Sequence, residues 1–288
     1  FRLNNAIFRN APNQYIALVD GQNIDRIEVV RGPSSTLYGG DAMGGVVQML
    51  TPEIDFDGND WQGDGRLRAI AASADDSLIG RAQVKGGREG VGFSLGLTSQ
   101  EVNDLRAGDG RTRPFTGFTQ RSADFKWQAD IAPGHELMLS LQFSEQPRTP
   151  RHDALVPGFG QTAPENAVFF FEPQQRRFAQ LRWRIDGPNR MFDNAEFHLG
   201  RQVVVDDRRL RDTGSPNLDR ERNRDATTGL SGQFGKDIGS EHHLSYGFEY
   251  YRDDVEAAKT RTNIVTGATG TRAPRFPDGS RMDGWAVY

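Results

Sequence analysis

Beyond residue 65 the chain alternates apolar and polar positions with a period of two. "VGFSLGLTSQ" (91–100) sets Val91, Phe93, Leu95 and Leu97 against Gly92, Ser94 and Gly96. "ADFKWQADI" (123–131) sets Phe125, Trp127, Ala129 and Ile131 against Asp124, Lys126, Gln128 and Asp130. After the short "APGH", "ELMLSLQF" answers with Leu137, Leu139, Leu141 and Phe143. The pattern recurs in "FAQLRWRI", "NAEFHLG", "TTGLSGQFG", "HLSYGFEYY" and "MDGWAVY", and more weakly over 65–75 and 77–86. This period marks strands with one apolar and one polar face, about ten in all. Short connections alternate with long polar ones, expected at 103–119, 146–175, 205–224 and 252–280. A soluble sandwich also alternates apolar and polar, but loops above about 12–15 residues are uncommon in compact domains.

Hydropathy and composition narrow the class. No run of 18 apolar residues occurs, which excludes a spanning helix but not spanning strands, whose signal is weak. Charged residues make up 26% and hydrophobic ones 36%, too charged for a helical membrane protein and too apolar for a disordered chain. The net charge of −4 gives no basic surface for nucleic acid. With no cysteine there are no disulfides or thiolate metal sites.

The expected fold is therefore an all-β membrane barrel, with about ten antiparallel strands in this stretch. In hydrocarbon every backbone group must pair, so strands persist only in a closed wall. Its lumen would be lined by Asp124, Lys126, Arg182, Arg184, Glu196 and Glu249. Trp127, Phe143, Tyr250 and Tyr251 stand near strand ends, where interfacial girdles form.

Ahead of this lies "IDRIEVVRGPSSTLYGGDAMGGVVQMLTPE" (24–53). Ile24, Ile27, Val29 and Val30 read as a strand that Gly32-Pro33 ends. Pro33 suits the first turn of a short helix, "SSTLYG", closed by Gly39-Gly40. Gly44-Gly45 then open a second strand, "VVQMLT". A small α/β core is the plain alternative. A phosphate loop is excluded, since neither GxxxxGK[ST] nor GxGxxG spacing is present.

This stretch resembles the closing segment of the plug domain of TonB-dependent outer-membrane receptors. The family pattern Ile-Glu-x-Ile-Glu-Val-x-Arg-Gly-Pro, then Tyr-Gly, then Gly-Gly-Val is nearly complete. Its matching residues are Glu28, Arg31, Gly32, Pro33, Tyr38, Gly39, Gly44 and Gly45, with Asp25 and Gln48-Met49 as mild departures. "FRLNNAIFRNAPNQYIALVD" resembles the preceding plug strand and loop, so the likeness covers about residues 1–53. It implies the end of a plug domain over 1–54, a linker over 55–64 and the N-terminal part of a barrel of about twenty-two strands over 65–288. Because the chain begins at Phe1 without Met or signal peptide and stops inside "GWAVY", an incomplete chain is expected, with the TonB-contacting segment and the C-terminal half absent.

The resemblance also implies TonB-dependent active uptake of a scarce ligand across the bacterial outer membrane: a ferric siderophore, heme or a similar iron complex. Cobalamin or carbohydrate uptake by the same family, or a passive porin or adhesin-type barrel, is the alternative. The implied partners are the TonB energy-transducing complex, the iron chelate and outer-membrane lipid; no cofactor or enzymatic activity is expected. Arg31 is expected to pair with a barrel carboxylate, Glu196 or Glu249, and the plug to be held by polar contacts. In loop 147–176, Arg148, Arg151, Phe169 and Phe170, with Phe159 and Phe171 nearby, are candidate contacts for an anionic chelate, which suits planar guanidinium groups; a solvated loop is the alternative. No metal site is expected: His242 and His243 point to opposite faces of a strand, and Asp206-Asp207 and Asp253-Asp254 read as charged outer loops. "RAPRFP" (272–277) resembles a box of heme receptors but lacks its companion motif.

Overall fold

The computed structural model describes residues 1–7, 15–33 and 42–288. Two strands, β1 (Arg26–Arg31) and β2 (Gly45–Leu50), pair antiparallel as a small separate sheet. The expected helix over "SSTLYG", with Tyr38 and Gly39, lies outside the described residues. Gly45 has φ +147°, and a Cβ there would stand 2.6 Å from the Val30 carbonyl oxygen. Only glycine fits where β2 comes so close to β1.

The rest is one antiparallel sheet. Its strands are β3 (Gln62–Ala72), β4 (Ser77–Arg88), β5 (Val91–Val102), β6 (Phe118–Ala132), β7 (His135–Gln146) and the two-residue β8 (Thr149–Pro150). They continue with β9 (Asn166–Asp186), β10 (Asn194–Asp212), β11 (Asn217–Ile238), β12 (His242–Asn263), β13 (Thr269–Arg272) and β14 (Arg281–Val287). Successive long strands are hydrogen-bonded neighbours from β3 to β12. β13 and β14 pair with different halves of β12, so together they fill a tenth position.

Burial in this sheet is inverted relative to a water-soluble protein. Leu67, Leu95, Leu97, Leu141, Leu181, Leu199 and Leu230 are exposed. Ser94, Thr98, Gln120, Arg176, Gln202, Asp206, Asn223, Asp225 and Asp253 are buried. Water would reject such a surface; hydrocarbon outside and a filled polar interior stabilise it. No helix is long and apolar enough to cross a membrane among the described residues.

One end of the sheet has tight connections. Gly134 turns β6 into β7 at φ +73°, so close to Asp186 that a Cβ would strike its backbone carbonyl. Short turns of this kind belong to the periplasmic end. Aromatic rings cluster on the outer surface near that end: Trp183, Phe197, Phe234, Tyr246 and Phe248 follow one another across four strands at 5.0–6.4 Å. They form the girdle. Tyr251 does not join it, because its ring faces the lumen and meets Phe1 at 5.4 Å.

The other end differs from expectation. Loop 205–224 is not a loop: β10 and β11 run through it and turn over 213–216. β12 likewise extends into the segment expected to be a loop from residue 252. β9 to β12 have 19 to 22 residues each, about twice what a bilayer needs. Past the hydrocarbon both faces meet polar surroundings, so the apolar alternation fades while the backbone ladder continues. Asp206 and Asp253 are therefore fully buried strand residues and not loop charges.

Candidate functional site

The N-terminal segments lie against the polar face of the sheet, and their contacts define the site. Phe1 packs on Phe178 and Tyr251 at 5.3 and 5.4 Å. It sits where wall residues Gly200 and Gly229 have no side chain; a Cβ at either would collide with its ring. Ile7, Tyr15 and Leu18 are buried against Val204 of β10 and Val255 of β12. This apolar patch qualifies the expectation of a purely polar seam: the two valines flank Asp225 in the wall's register.

Polar contacts surround the patch. Arg2 reaches Asp253 at 2.9 Å, and the Thr227 hydroxyl bridges Asp253 and Asp225 at 2.6 and 2.9 Å. The Tyr15 hydroxyl is shared between the Ile7 carbonyl, at 3.0 Å, and the Asp206 carboxylate, at 3.2 Å. Arg208 donates to the same Asp206 at 2.6 Å. Arg2 with Asp253 and Arg208 with Asp206 are thus taken from water as pairs, as buried ions require.

A second polar centre forms at β4–β6. Asp20 caps a short 3-10 turn by accepting from the Gln22 amide at 2.9 Å, which fixes its carboxylate. That carboxylate meets Arg81 at 3.3 Å and the Thr98 hydroxyl at 2.6 Å. Arg81 also donates to Asp124 at 2.8 Å, Thr98 at 3.0 Å and Asn23 at 3.1 Å. One wall guanidinium therefore joins two wall strands to two plug residues. Gly96 makes this possible, because any side chain there would overlap Arg81 and Asp124. Farther along, Lys126 donates to Thr51 and to the Pro52 carbonyl, both at 2.7 Å. Ile54 and Phe56 occupy the space left by Gly87 and Gly92.

The motif residues are placed differently. Glu28 and Arg31 are exposed on β1, and Glu28 pairs with Arg26 at 2.8 Å. The expected contact of Arg31 with Glu196 or Glu249 is not formed. Glu196 is held instead by His198 at 2.6 Å and Arg184 at 3.4 Å. Gly32, at φ +98°, leads from β1 into exposed Pro33, and Gly44 accepts from the Gly32 amide at 3.2 Å.

Of the loop candidates, Phe169 is buried with Phe171 under a one-turn helix, α1 (His152–Leu155). Phe170 is partly buried beside them. Arg148 stacks on Phe170 at 4.0 Å and pairs with Glu172 at 2.9 Å. Arg151 stacks on Phe169 at 5.0 Å and pairs with Asp153 at 2.9 Å. That hydrogen bond holds the Asp153 carboxyl below the ordinary aspartate range. The alternation of β9 shifts here because the register with β10 jumps between Asp206 and Arg208, a bulge that turns side chains to the other face. Asp20, Arg81 and Arg2, which join plug to wall, carry no local sequence signal: each is a single charge in a charged chain.

A wall that is apolar outside and polar inside, around a plug held by buried ion pairs, is a plugged outer-membrane barrel. This is the architecture of the plug and part of the barrel wall of TonB-dependent outer-membrane receptors. Residues 1–46 match the family model described as TonB-dependent Receptor Plug Domain. An iron-regulated outer membrane virulence protein of Vibrio cholerae serotype O1 is 32% identical over 133 residues, 44% of this chain and 19% of that protein. A hemin receptor of Yersinia enterocolitica is 32% identical over 97 residues, 33% of this chain and 14% of that protein. The solved structure of the copper transporter OprC superposes with a TM-score of 0.74 at 12% identity, covering 96% of this chain and 41% of that one. The chain thus spans less than half of that structure, and its likeness there is one of fold.

Proposed function

We propose that the protein takes up an iron complex, a ferric siderophore or heme, across the outer membrane with energy supplied through TonB. The observation that carries this reading is the plug's seating: Asp20, Asn23, Arg2 and Tyr15 bind the wall through buried polar groups. A lumen closed this way does not leak solute as a porin would. The contacts are nonetheless discrete and exchangeable for water bridges, so the plug can shift without baring a large apolar core. The iron-regulated and hemin relatives favour an iron complex over cobalamin or carbohydrate. Arg148 and Arg151, on the outer loop, are proposed to meet the anionic chelate, with Phe170 backing Arg148; buried Phe169 and Phe171 hold the loop. The motif residues Glu28, Arg31, Gly32, Pro33, Tyr38, Gly39, Gly44 and Gly45 are proposed to serve the plug's own fold.

The test is radioiron uptake by a deletion strain carrying the full-length gene, supplied in parallel with ferric siderophores, heme, cobalamin and oligosaccharide. Accumulation of one iron complex that stops when TonB is absent or the proton-motive force is collapsed is the expected result. Accumulation that survives both treatments refutes energised uptake, and accumulation of cobalamin or sugar alone refutes the iron ligand.

A further inference from the structure

We infer that the seam between plug and wall holds a proton-binding site: Asp225 of β11 carries a proton while the plug is seated, and displacing the plug releases it. One hydroxyl stands between two carboxyl groups. Thr227 Oγ1 lies 2.6 Å from Asp253 Oδ1 and 2.9 Å from Asp225 Oδ2. A threonine hydroxyl has one proton to donate, while an ionised carboxylate only accepts. Thr227 therefore cannot satisfy two ionised aspartates at once. One of them must donate to the hydroxyl oxygen, and that one is a neutral acid. Asp253 is the ionised member, because Arg2 donates to its Oδ2 at 2.9 Å. The chain of donors then runs from Asp225 through Thr227 to Asp253, whose charge Arg2 balances.

The surroundings of Asp225 agree. It is fully buried, and its Oδ1 has no hydrogen-bond partner among the described residues. In the wall's register it lies between Val204 and Val255, and Ile7, Tyr15 and Leu18 of the plug pack on those valines. There a bare oxygen of a neutral acid costs far less than a bare oxygen of a carboxylate. The ionisable groups on β10, β12 and the plug around it have other partners: Asp206 meets Arg208 and Tyr15, and Arg2 meets Asp253. The outward side chains at this level form ion pairs, Arg224 with Glu256 and Asp254 with Arg281, so the level lies beyond the hydrocarbon. Burial and the neighbouring Asp253 charge push the Asp225 carboxyl up to about 7; the Thr227 hydroxyl, the Ala6 amide and Arg2 pull the other way without prevailing. When the plug lifts, water reaches Asp225, its carboxyl returns to the ordinary aspartate range, and at neutral pH the proton leaves to solvent. Protons thus favour the seated plug. Their contribution is full below the ordinary value of 3.8 and is lost as pH rises through about 7.

The site depends on the plug's seating and not on which ligand is carried. Full-length receptor in a neutral detergent would be compared with Asp225→Asn, whose amide keeps a donor to Thr227, by difference infrared spectroscopy. At pH 6 the native protein should show the carbonyl stretch of an un-ionised carboxyl that the variant lacks, and the band should fade as pH passes about 7. Asp253→Asn removes the adjacent charge and should move that fading to lower pH. Seating would be read by maleimide labelling of Ile7→Cys, a position buried beneath the seated plug. Its rate, divided by the rate in the Asp225→Asn background, cancels the thiol's own titration and should rise about tenfold from pH 6 to pH 8. Heat-modifiable mobility on gels shows that each variant barrel is folded. Absence of the band at pH 6, or a fading midpoint that ignores Asp253→Asn, overturns the proposal. So does a rate ratio that stays constant with pH, which would leave seating independent of the proton.

Discussion

Arg81 shows how much one side chain can organise. Its guanidinium touches Asp20 and Asn23 of the plug and Thr98 and Asp124 of the wall. Arg81→Ala would leave buried carboxylates without their cation, a change that costs about 3–5 kcal/mol. Thermal unfolding of the detergent-solubilised receptor should show that loss, with Asp20→Asn costing less because Asp124 still pairs with Arg81. If the two substitutions add without coupling, the shared centre is disproved. Asp153 gives a pH-dependent counterpart. Its carboxyl is held below the ordinary value of 3.8 by the Arg151 hydrogen bond. The bond therefore contributes above that value and is lost as pH falls through the lowered one. Proteolysis of loop 147–165 should rise in acid for the native protein, while Arg151→Gln should raise it already at neutral pH and flatten the profile. A native loop equally resistant at all pH values would refute this.

At the scale of the strand, what matters is which face a residue occupies. Leu181 and Gln180 are neighbours on β9, yet one is exposed to hydrocarbon and the other faces the lumen beside His198. Leu181→Arg should cost about 2–4 kcal/mol near the bilayer midplane, read as a lower fraction of heat-modifiable barrel. Gln180→Arg should be tolerated far better, and equal penalties would contradict the assigned faces. This alternation is also what made the wall legible in sequence: wherever one side meets lipid, as in 91–97 or 178–185, period two is imposed. The upper halves of β10–β12 escaped because that pressure ends there. "VVVDDRRLRD" has charges on both faces; across these upper halves the ladder carries cross-strand pairs, Arg208 of β10 with Glu221 of β11, and Lys259 and Arg261 of β12 with Glu221 and Asp219 of β11. Those pairs link residues far apart in the chain. The Arg81 centre was illegible for the same reason: it joins positions 20, 81, 98 and 124, which only the closed-up fold brings together.

For the molecule as a whole, the question is whether the plug must move. The chain contains no cysteine, so an introduced pair is unambiguous. Asp20→Cys with Thr98→Cys replaces a 2.6 Å contact by a covalent tie in the oxidising periplasm. On the proposed function, radioiron uptake should stop while surface binding persists, and reductant should restore it. Uptake that continues with the tie fully formed would show that these two residues need not separate.

The seating contacts also follow chain order: Arg2 on β12, Tyr15 on β10, Asp20 on β4 and Thr51 on β6. Tension applied from the N-terminal side would load them in turn. Attachments loaded singly give way like a peeled strip, at a lower peak force than attachments sheared together. The geometry thus allows a weak, sustained pull to unseat the cork stepwise while the later anchors still hold it in the cylinder.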